Sequence, residues 1–319
     1  MKNCAVIGFG NWGKKIVENI VLSEKFSVSC ILDPNYIDRS FNKIAKCYDI
    51  NDILNDANID CVFILTSNDL HYKYGILCAQ NKKDFFIEKP ICNHSYEAEE
   101  LLELCKINNV KLMVGHNVIF YSIFKKVYDM IQSGLIGKIY HIEANRSRPI
   151  WNTITDNSWR YYKDKCNGGP LIQMGLHLVD TIQYYCGFDA KNIKIIGTNH
   201  YMDSENCESY NIIGELDNSI TFYLYSSYLP AETFFINIYG SKGVIRADAF
   251  NGLYYQKKDE FKIKKVRYSN NNPEKDEIVR FYEILNSDDY NYGQVEQAIR
   301  DVVEMEKMLN EKKSSYFKK

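Results

Sequence analysis

The sequence predicts an α/β protein of two domains: a doubly wound parallel sheet over residues 1–117, and an α/β domain with an open, mainly antiparallel sheet over residues 118–319. Short, wholly apolar runs alternate with helical segments up to residue 117, which is typical of parallel strands covered on both faces. Beyond residue 118 the strands become longer and alternate between apolar and polar residues, and tight-turn residues separate them. A length of 319 residues also favours two domains.

The predicted elements of the first domain alternate between strand and helix. Five apolar runs are expected to form strands: Cys4–Ile7, Phe26–Leu32, Cys61–Leu65, Phe85–Ile87 and Val110–Val114. Four segments with helical spacing are expected between them: Lys14–Leu22, Ile50–Ala57, Leu70–Gln80 and Tyr96–Ile107. In such a sheet, the residues that follow the strands meet at the carboxyl edge, where ligands bind.

The second domain has a different order of elements. Its predicted strands are Lys138–Arg148, Glu208–Leu216, Ser219–Tyr228, Thr233–Tyr239, Gly243–Ala247, Gly252–Gln256 and Phe261–Tyr268. Its predicted helices are Ser122–Ser133, Leu171–Tyr185, Asn272–Leu285 and Gln294–Leu309. The second and third of these helices are expected to pack on the open sheet, and the last one is a candidate to pack back towards the first domain. Asp217-Asn218 predicts a hairpin turn, and residues 314–319 are expected to fray.

Composition excludes several classes of protein. The formal net charge of −2 argues against broad binding to nucleic acid or to an anionic membrane. No apolar run approaches the ~18 residues that would suggest a membrane-spanning helix, and the first ten residues resemble a strand rather than a signal peptide. The ten cysteines are scattered without a C-x-x-C pair, so we expect them to be reduced. Together these features predict a cytoplasmic globular protein.

A glycine-rich motif lies between the first strand and the first helix. It fits the pattern G-x-G-x-x-G with Gly8, Phe9, Gly10, Asn11, Trp12 and Gly13. Gly8 permits a tight turn, Gly10 lets the backbone approach a pyrophosphate, and Gly13 lets the helix pack close to the strand. Asp33 follows at the end of the next strand, where its carboxylate can bind the ribose hydroxyls of a dinucleotide.

The acidic residue at this position favours NAD over NADP, because a 2′-phosphate would meet a like charge. Arg39 and Lys43 lie nearby in the sequence and keep NADP as the alternative. A glycine turn without a ligand is the purely structural alternative.

Polar clusters follow two further strands of the first domain. Thr66, Ser67, Asn68 and His71 come after the third strand and are expected to contact the cofactor. Glu88 and Lys89 end the Phe85–Ile87 strand, directly before Pro90, and are likewise expected to contact the cofactor. Since proline restricts the preceding residue to extended conformations, we expect Lys89 to have a fixed direction and a chemical role rather than to be a surface charge. Asn117 follows the last strand and is a candidate contact with substrate or cofactor.

A third cluster lies in the second domain, where Gln173, His177 and Asp180 would share one face of an α-helix. A histidine with an amide one turn before it and a carboxylate one turn after it suits acid–base chemistry, although such a histidine is often structural. Only two ligand types converge here and no cysteine joins them, so we predict no metal site.

A basic stretch with interleaved aromatic residues precedes this cluster. Arg146, Trp159 and Arg160 are its predicted substrate contacts, because guanidinium groups bind phosphate or carboxylate and aromatic faces pack against sugar rings. A solvated loop with packing aromatics is the alternative.

Taken together, these motifs resemble the Gfo/Idh/MocA family of sugar, inositol and related dehydrogenases. The matching pieces are residues 8–13, TSNDLH, IEKP, VGHN and GGPLIQMGLHLVD, and their order covers nearly the whole chain. The start of the chain and the run at 114–142 look most like members from polysaccharide and nucleotide-sugar gene clusters. The resemblance implies a Rossmann domain, a second α/β domain with a large, mainly antiparallel sheet, a cis peptide before Pro90, and a homodimer or homotetramer formed through the open sheet face.

The resemblance also implies an activity. Lys89 and His177 would be the catalytic pair of an NAD-dependent oxidoreductase acting on a sugar, nucleotide sugar or cyclitol. Gln173 stands where many members have an aspartate, so His177 is expected to be a weaker base unless Asp180 compensates. Two alternatives stay open: a glycosidase or lyase that retains NAD and oxidises its substrate transiently, and an NAD-binding regulator without catalysis.

Overall fold

The computed structural model describes residues 1–217 and 219–314, and for residues 312–314 only the backbone. Asn218 of the predicted hairpin turn and residues 315–319 of the predicted fraying tail lie outside the described residues. Residues 1–117 contain six strands: β1 Lys2–Ile7, β2 Phe26–Leu32, β3 Ala45–Cys47, β4 Cys61–Ile64, β5 Asp84–Glu88 and β6 Leu112–Gly115. The same residues contain four α-helices: α1 Asn11–Ser23, α2 Ile50–Leu54, α3 His71–Gln80 and α4 Ser95–Asn108.

The six strands form one parallel sheet in the order β3-β2-β1-β4-β5-β6. The chain therefore builds outward from β1 in one direction and from β4 in the other. Strand β4 and most of β1 and β5 are buried, which explains why these runs are wholly apolar. The strand order reverses between β1 and β4, and open parallel sheets bind ligands at the carboxyl ends of the strands at such a point.

The remaining chain contains eight strands: β7 Ile139–Ser147, β8 Ala190–Thr198, β9 Ser209–Leu216, β10 Thr221–Ser227, β11 Thr233–Gly240, β12 Gly243–Asp248, β13 Gly252–Lys257 and β14 Ile263–Val266. Its described α-helices are α5 Ser122–Gln132, α6 Leu176–Cys186, α7 Pro273–Leu285 and α8 Gly293–Ser314. The strands form one open sheet in the order β14-β13-β12-β11-β7-β10-β9-β8. Only the β7–β10 pair in this sheet is parallel, so the predicted fold class is confirmed.

The chain forms two compact units. The first comprises residues 1–117 and 272–300, and the second comprises residues 118–271 and the described residues from 301 onward. The sequence had placed residues 272–300 in the second domain and had predicted that the helix beginning at Asn272 packs on the open sheet. That packing prediction is wrong, because α7 packs against α1 and β6. Its Phe281 ring lies 5.3 Å from the ring of Phe63 and 5.9 Å from those of Phe26 and Phe86.

The second unit has its core on one face of the large sheet. Alternate residues of the central strands, such as Ile142, Ile236 and Phe222, are buried there with apolar residues of α5 and α6. This alternation is what a sheet with one covered face requires. Among the described residues, no helix combines the length and the apolar character needed to cross a membrane.

Candidate active site

The glycine motif forms the turn between β1 and α1, and the space around the Cα atom differs from one glycine to the next. Gly8 has a φ of +96°, and a Cβ there would lie 2.6 Å from the Leu65 carbonyl oxygen. A Cβ on Gly13 would lie 2.6 Å from the Gly8 carbonyl oxygen. A Cβ on Gly10 would meet nothing within 4 Å. Gly8 and Gly13 are therefore needed for packing, whereas Gly10 keeps open the space in front of the helix N-terminus.

This arrangement fits a dinucleotide pyrophosphate. Helix α1 begins at Asn11, and no side chain caps it at Gly10. The first backbone N–H groups of a helix attract phosphate, both as hydrogen-bond donors and through the helix dipole. The open space beside Gly10 is where a phosphate can approach those donors.

Asp33 ties the loop after β2 to the glycine turn. Its carboxylate accepts hydrogen bonds from the backbone N–H groups of Phe9 at 2.7 Å and Asn35 at 2.8 Å. A carboxylate offers about four acceptor positions, so these two bonds leave capacity for hydroxyl groups of a ligand. The Phe9 ring packs edge-on against Tyr36 and Phe41, with centroid distances of 4.9 and 5.3 Å. Phe9 therefore shapes this loop through packing.

The two cations that kept NADP as an alternative lie in the same loop. Arg39 and Lys43 are both exposed and both have positive φ values, of 56° and 59°. The Arg39 guanidinium forms an ion pair with its exposed neighbour Asp38, at 3.7 Å. Exposed pairs of this kind contribute little to stability.

The cluster after β4 contains one residue that is fully buried. His71 is 0% exposed, and its ring lies between two carbonyl oxygens: Nδ1 is 2.7 Å from that of Pro90, and Nε2 is 3.3 Å from that of Thr66. Burial lowers the pKa of His71 to about 4, so the ring is neutral at pH 7. It links the loop after β4 with the loop after β5, and its predicted contact with a cofactor stays a prediction.

The other polar residues of this cluster form a short turn after β4. A single 3₁₀ turn covers Asn68–Leu70, preceded by Ser67, and the Thr66 hydroxyl donates to the Ser67 carbonyl at 3.2 Å. Thr66 also lies against Gly8, since its backbone nitrogen would be 2.9 Å from a Cβ there. The structure therefore brings the end of β4 against the glycine turn, as the order of the strands predicts.

Glu88 and Lys89 end β5, and the peptide bond before Pro90 is cis, as the resemblance implied. Glu88 is buried, and its carboxylate accepts a hydrogen bond from the indole nitrogen of Trp12 at 2.5 Å. Burial raises the pKa of Glu88, while the Trp12 hydrogen bond and the charge of Lys89 oppose that rise. The two predicted groups of cofactor residues are thus joined within the first unit.

Asn117 lies close to the same region of the first unit. It is buried, and its amide donates to the Glu274 carboxylate at 3.4 Å. Glu274, at the start of α7, also forms an ion pair with Lys15 at 2.5 Å. Asn117 is therefore fixed by a carboxylate that sequence reasoning did not single out, because the two residues are far apart in the chain.

The Gln173–His177–Asp180 cluster differs from its prediction. Residues Leu171–Gly175 form a π-helical turn, and the α-helix begins only at Leu176. The predicted α-helical spacing from Gln173 to His177 is therefore wrong, because the hydrogen bonds of a π turn join residues that are five apart in the sequence rather than four. Gln173 and Asp180 are buried, whereas His177 is partly exposed. A widened turn of this type is frequent at functional sites.

The basic stretch separates into two groups. The Arg146 guanidinium binds the Glu232 carboxylate through both terminal nitrogens at 3.2 Å and stacks over Phe234 at 4.8 Å. Arg148 approaches the same carboxylate at 3.3 Å. Arg160 instead stacks over its neighbour Trp159 at 4.3 Å. Arg146 is therefore already paired with a carboxylate, whereas Arg160 and Trp159 form one cation–π platform.

A loop that sequence reasoning missed supports this platform. Asn206 accepts a hydrogen bond from the Gly168 backbone N–H at 3.2 Å and donates one to the Arg160 carbonyl at 3.1 Å. Glu208 is fully buried, and its carboxylate accepts from the backbone N–H groups of His200, Tyr201 and Met202 at 2.8, 2.8 and 2.9 Å. In the sequence, Glu208 is a single carboxylate beside a predicted strand, and this pattern does not reveal which backbone groups it binds.

Two known protein families match the sequence, one over each part of the chain. The profile described as an oxidoreductase family with an NAD-binding Rossmann fold matches residues 2–116, and that of the GFO/IDH/MocA C-terminal domain matches residues 124–246. The chain belongs to the Gfo/Idh/MocA oxidoreductase family. The resemblance drawn from the motifs is confirmed, and the glycine turn is that of an NAD(P)-binding Rossmann fold in an oxidoreductase.

Several curated proteins are similar to this Gfo/Idh/MocA member. An uncharacterized oxidoreductase of Streptococcus pneumoniae is 27% identical over 262 residues, which cover 79% of this chain and 70% of that protein. A 2,7-anhydro-N-acetylneuraminate hydratase of Escherichia coli is 27% identical, and the match covers 62% of this chain but only 53% of that protein. A myo-inositol 2-dehydrogenase of Thermotoga maritima is 26% identical, with 76% and 74% covered.

Solved structures share the fold over nearly the whole chain. A levoglucosan dehydrogenase in complex with NADH and levoglucosan has a TM-score of 0.86 at 16% identity, with 98% of each chain covered. A putative NADPH-dependent oxidoreductase from Desulfitobacterium hafniense has a TM-score of 0.85 at 21% identity, with 97% of this chain and 94% of that chain covered. At these identities the likeness shows the fold alone.

Proposed function

We propose that this Gfo/Idh/MocA member is an NAD-dependent dehydrogenase or reductase that acts on a secondary hydroxyl or ketone of a sugar, nucleotide sugar or cyclitol. The observation that carries the proposal is the glycine turn, in which Gly10 alone faces open space while Gly8 and Gly13 are packed. The names of the inositol dehydrogenase and the levoglucosan dehydrogenase support a polyol or sugar as the substrate class.

The preference for NAD rests on Asp33. Its carboxylate is held in place by two backbone N–H groups and keeps acceptor capacity for ribose hydroxyls. A 2′-phosphate would meet this charge unless the exposed Arg39 and Lys43 moved towards it. A structural neighbour named as a putative NADPH-dependent oxidoreductase keeps NADP as the runner-up.

The chemistry assigns roles to three side chains. A bound nicotinamide supplies the hydride acceptor or donor. His177 takes the proton of the substrate hydroxyl, and Lys89 donates a hydrogen bond to the same oxygen and stabilises the developing alkoxide. Gln173 orients the imidazole or binds a neighbouring hydroxyl. Because glutamine has no charge, the imidazolium is stabilised less than it would be beside an aspartate.

Four residues are proposed to bind the substrate in addition to this trio: Asn117, Arg146, Trp159 and Arg160. Trp159 and Arg160 have the stronger support, because a guanidinium over an aromatic ring offers both a flat apolar face and hydrogen-bond donors. The Arg146 guanidinium is held by Glu232, so its role is to shape the pocket wall rather than to bind an anion alone. Asn117 offers an amide fixed by Glu274.

A turnover screen tests this proposal. The full chain is incubated with NAD or NADP and a panel of sugars, nucleotide sugars and inositols, and reduced nicotinamide is followed by absorbance. Substrates are first sought by thermal shift, since a ligand at 100 times its Kd adds about 2.7 kcal/mol of stability. We expect turnover that falls by about 10²–10⁴ in His177→Gln, the usual contribution of a general acid or base. Full activity in that variant would reject the role of His177.

A second candidate function is favoured by one observation. The E. coli relative is named a hydratase, a reaction without net oxidation. An enzyme of this kind would retain NAD, form no net NADH, and lose activity when stripped of the dinucleotide. A regulator without catalysis is the third possibility, and binding of NADH without turnover of any compound in the panel would favour it.

A further inference from the structure

The indole of Trp12 connects the two parts of the first unit that the proposed function uses. Trp12 is the second residue of α1, directly after the open space at Gly10. Its Nε1–H donates to Glu88 Oε1 at 2.5 Å, across 76 residues of sequence. Glu88 precedes Lys89 and ends β5. The indole is therefore a side-chain bridge between the glycine turn and this strand end.

The Glu88 carboxylate occupies a narrow slot. It is 5% exposed, and a Cβ on Gly115 of the adjacent strand would lie 3.1 Å from Glu88 Oε1. Its second oxygen accepts from the Lys89 backbone N–H at 3.2 Å. A buried carboxylate in such a slot depends on its donors, because an unpaired charge there is costly. Loss of the indole donor would leave one oxygen without the bond it has now.

One face of the indole ring also has a partner. The ammonium group of Lys15 lies over the ring of Trp12 at 5.0 Å from its centroid. Lys15 is itself paired with the buried Glu274, which accepts a hydrogen bond from Asn117. The ring is thus held by a cation on its face and by a carboxylate at its edge.

We propose that Trp12 is a positioning residue that acts through Glu88: its N–H holds the carboxylate and so fixes the strand end that carries Lys89 relative to the glycine turn. This inference rests on the proposed function, because it gives Lys89 a part in the reaction. It goes beyond that function because it gives Trp12 the task of positioning Lys89 in addition to cofactor binding.

The groups around Glu88 determine its pKa and therefore the pH at which its carboxylate gains a proton. Burial is the largest influence and raises its pKa, whereas the Trp12 hydrogen bond, the charge and backbone N–H of Lys89, and the charge of His116 all lower it. Replacing Trp12 with phenylalanine removes one lowering influence and keeps the ring for Lys15. The pKa of Glu88 then rises further, so the ionised form is lost at a higher pH.

The first test needs neither cofactor nor substrate. The emission of Trp12 is obtained in the full chain as the difference between wild type and Trp12→Phe, since the chain has only three tryptophans. We expect the Trp12 emission to change with pH at a midpoint above the ordinary carboxyl range, because Glu88 gains a proton there. In Glu88→Gln, which retains Trp12, this pH-dependent change in emission should disappear. An emission that follows the same pH curve in Glu88→Gln as in wild type would overturn the contact.

The second test measures kcat and KM against pH for wild type, Trp12→Phe and Tyr96→Phe. Tyr96 is 64% exposed on α4 and serves as a matched aromatic control. In Trp12→Phe we expect kcat to fall about tenfold and the acid limb to move up by about one pH unit, the size expected for losing one hydrogen bond to a charged group. The control should superimpose on wild type.

The outcomes separate the two proposals. An active wild type whose acid limb is unchanged in Trp12→Phe contradicts the positioning role, and a rise in the Kd for NADH alone would make Trp12 a simple binding contact. A wild type that neither binds NADH nor turns over any polyol contradicts the proposed function itself. If Trp12→Phe does not fold, the comparison of Glu88→Gln with wild type by emission still decides whether the contact exists.

Discussion

His71 shows how one buried side chain can hold two loops of a parallel sheet. It is completely buried between the carbonyl oxygens of Pro90 and Thr66, and it follows the strand β4 whose end lies against the glycine turn. A neutral imidazole has one N–H, which the shorter distance assigns to the bond with Pro90. The sequence placed His71 after a buried strand, but position along the chain does not reveal how deeply a side chain is buried or which carbonyl groups it contacts.

The lowered pKa of His71 predicts a loss of stability in acid. The folded value, about 4, lies below the ordinary value of 6.5 in the unfolded chain. The unfolded state therefore binds a proton first as the pH falls, so stability present above pH 6.5 is lost between pH 6.5 and pH 4. From pH 7 to pH 5, the free energy of unfolding should fall by about 2 kcal/mol more in wild type than in His71→Gln.

Urea unfolding of both proteins at the two pH values checks this prediction. The difference between the proteins isolates His71 from other groups that titrate in the same range. Equal losses in wild type and variant would show that the pKa of His71 is not lowered by folding, which would contradict its burial as a neutral ring.

At the scale of elements, the loop before β9 is predicted to control the Trp159–Arg160 platform. Glu208 holds three successive backbone N–H groups of this loop, and Asn206 in the same loop binds the Gly168 and Arg160 backbones. We expect Glu208→Gln to raise the KM for the substrate about tenfold and to leave the Kd for NADH unchanged, because misplaced binding groups weaken binding and orientation.

Glu215→Gln, on strand β9 itself, is the matched control for this experiment. Steady-state kinetics and an NADH titration on the same preparations separate the two effects. A higher Kd for NADH in Glu208→Gln with an unchanged KM would contradict the assignment of this loop to the substrate.

Some strands and helices could be predicted from the sequence, and others could not. Strands with wholly apolar cores and the glycine motif were predictable, because their determinants are local and chemically specific. Strand β3, with three residues, is too short to give a periodic signal. Strand β8 does place Ile193 and Ile195 inward, but a register shift between Lys191 and Lys194 interrupts its pattern.

Two further differences have non-local causes. Helix α7 belongs with the first unit because Phe281 packs against rings of three separate strands, which no local pattern contains. The π turn before α6 follows Pro170 and lies where a Cβ on Gly175 would be 3.3 Å from the Ser226 hydroxyl. The candidate residues Gln173 and His177 were therefore found by type and order, whereas their relative orientation required the structure.

At the scale of the whole molecule, the homodimer or homotetramer implied by the family stays a prediction. The uncovered face of the large sheet carries exposed apolar side chains, among them Tyr140 and Ile213. A charge on this face would be buried without a partner in an assembly formed through it, at a high cost. We expect light scattering to show an oligomer for wild type and a smaller species for Ile213→Glu. An unchanged mass in Ile213→Glu would place the interface elsewhere.

The central claim is that the glycine turn of this Gfo/Idh/MocA member binds a dinucleotide through the space at Gly10, and one calorimetric titration of NADH into wild type and Gly10→Val tests it most directly. We expect wild type to bind and Gly10→Val to remain folded with an unchanged melting temperature but to lose at least about 100-fold in affinity, since a side chain would fill space that is otherwise open. Wild type that binds no dinucleotide, or a Gly10→Val variant that binds NADH as tightly as wild type, would contradict the account.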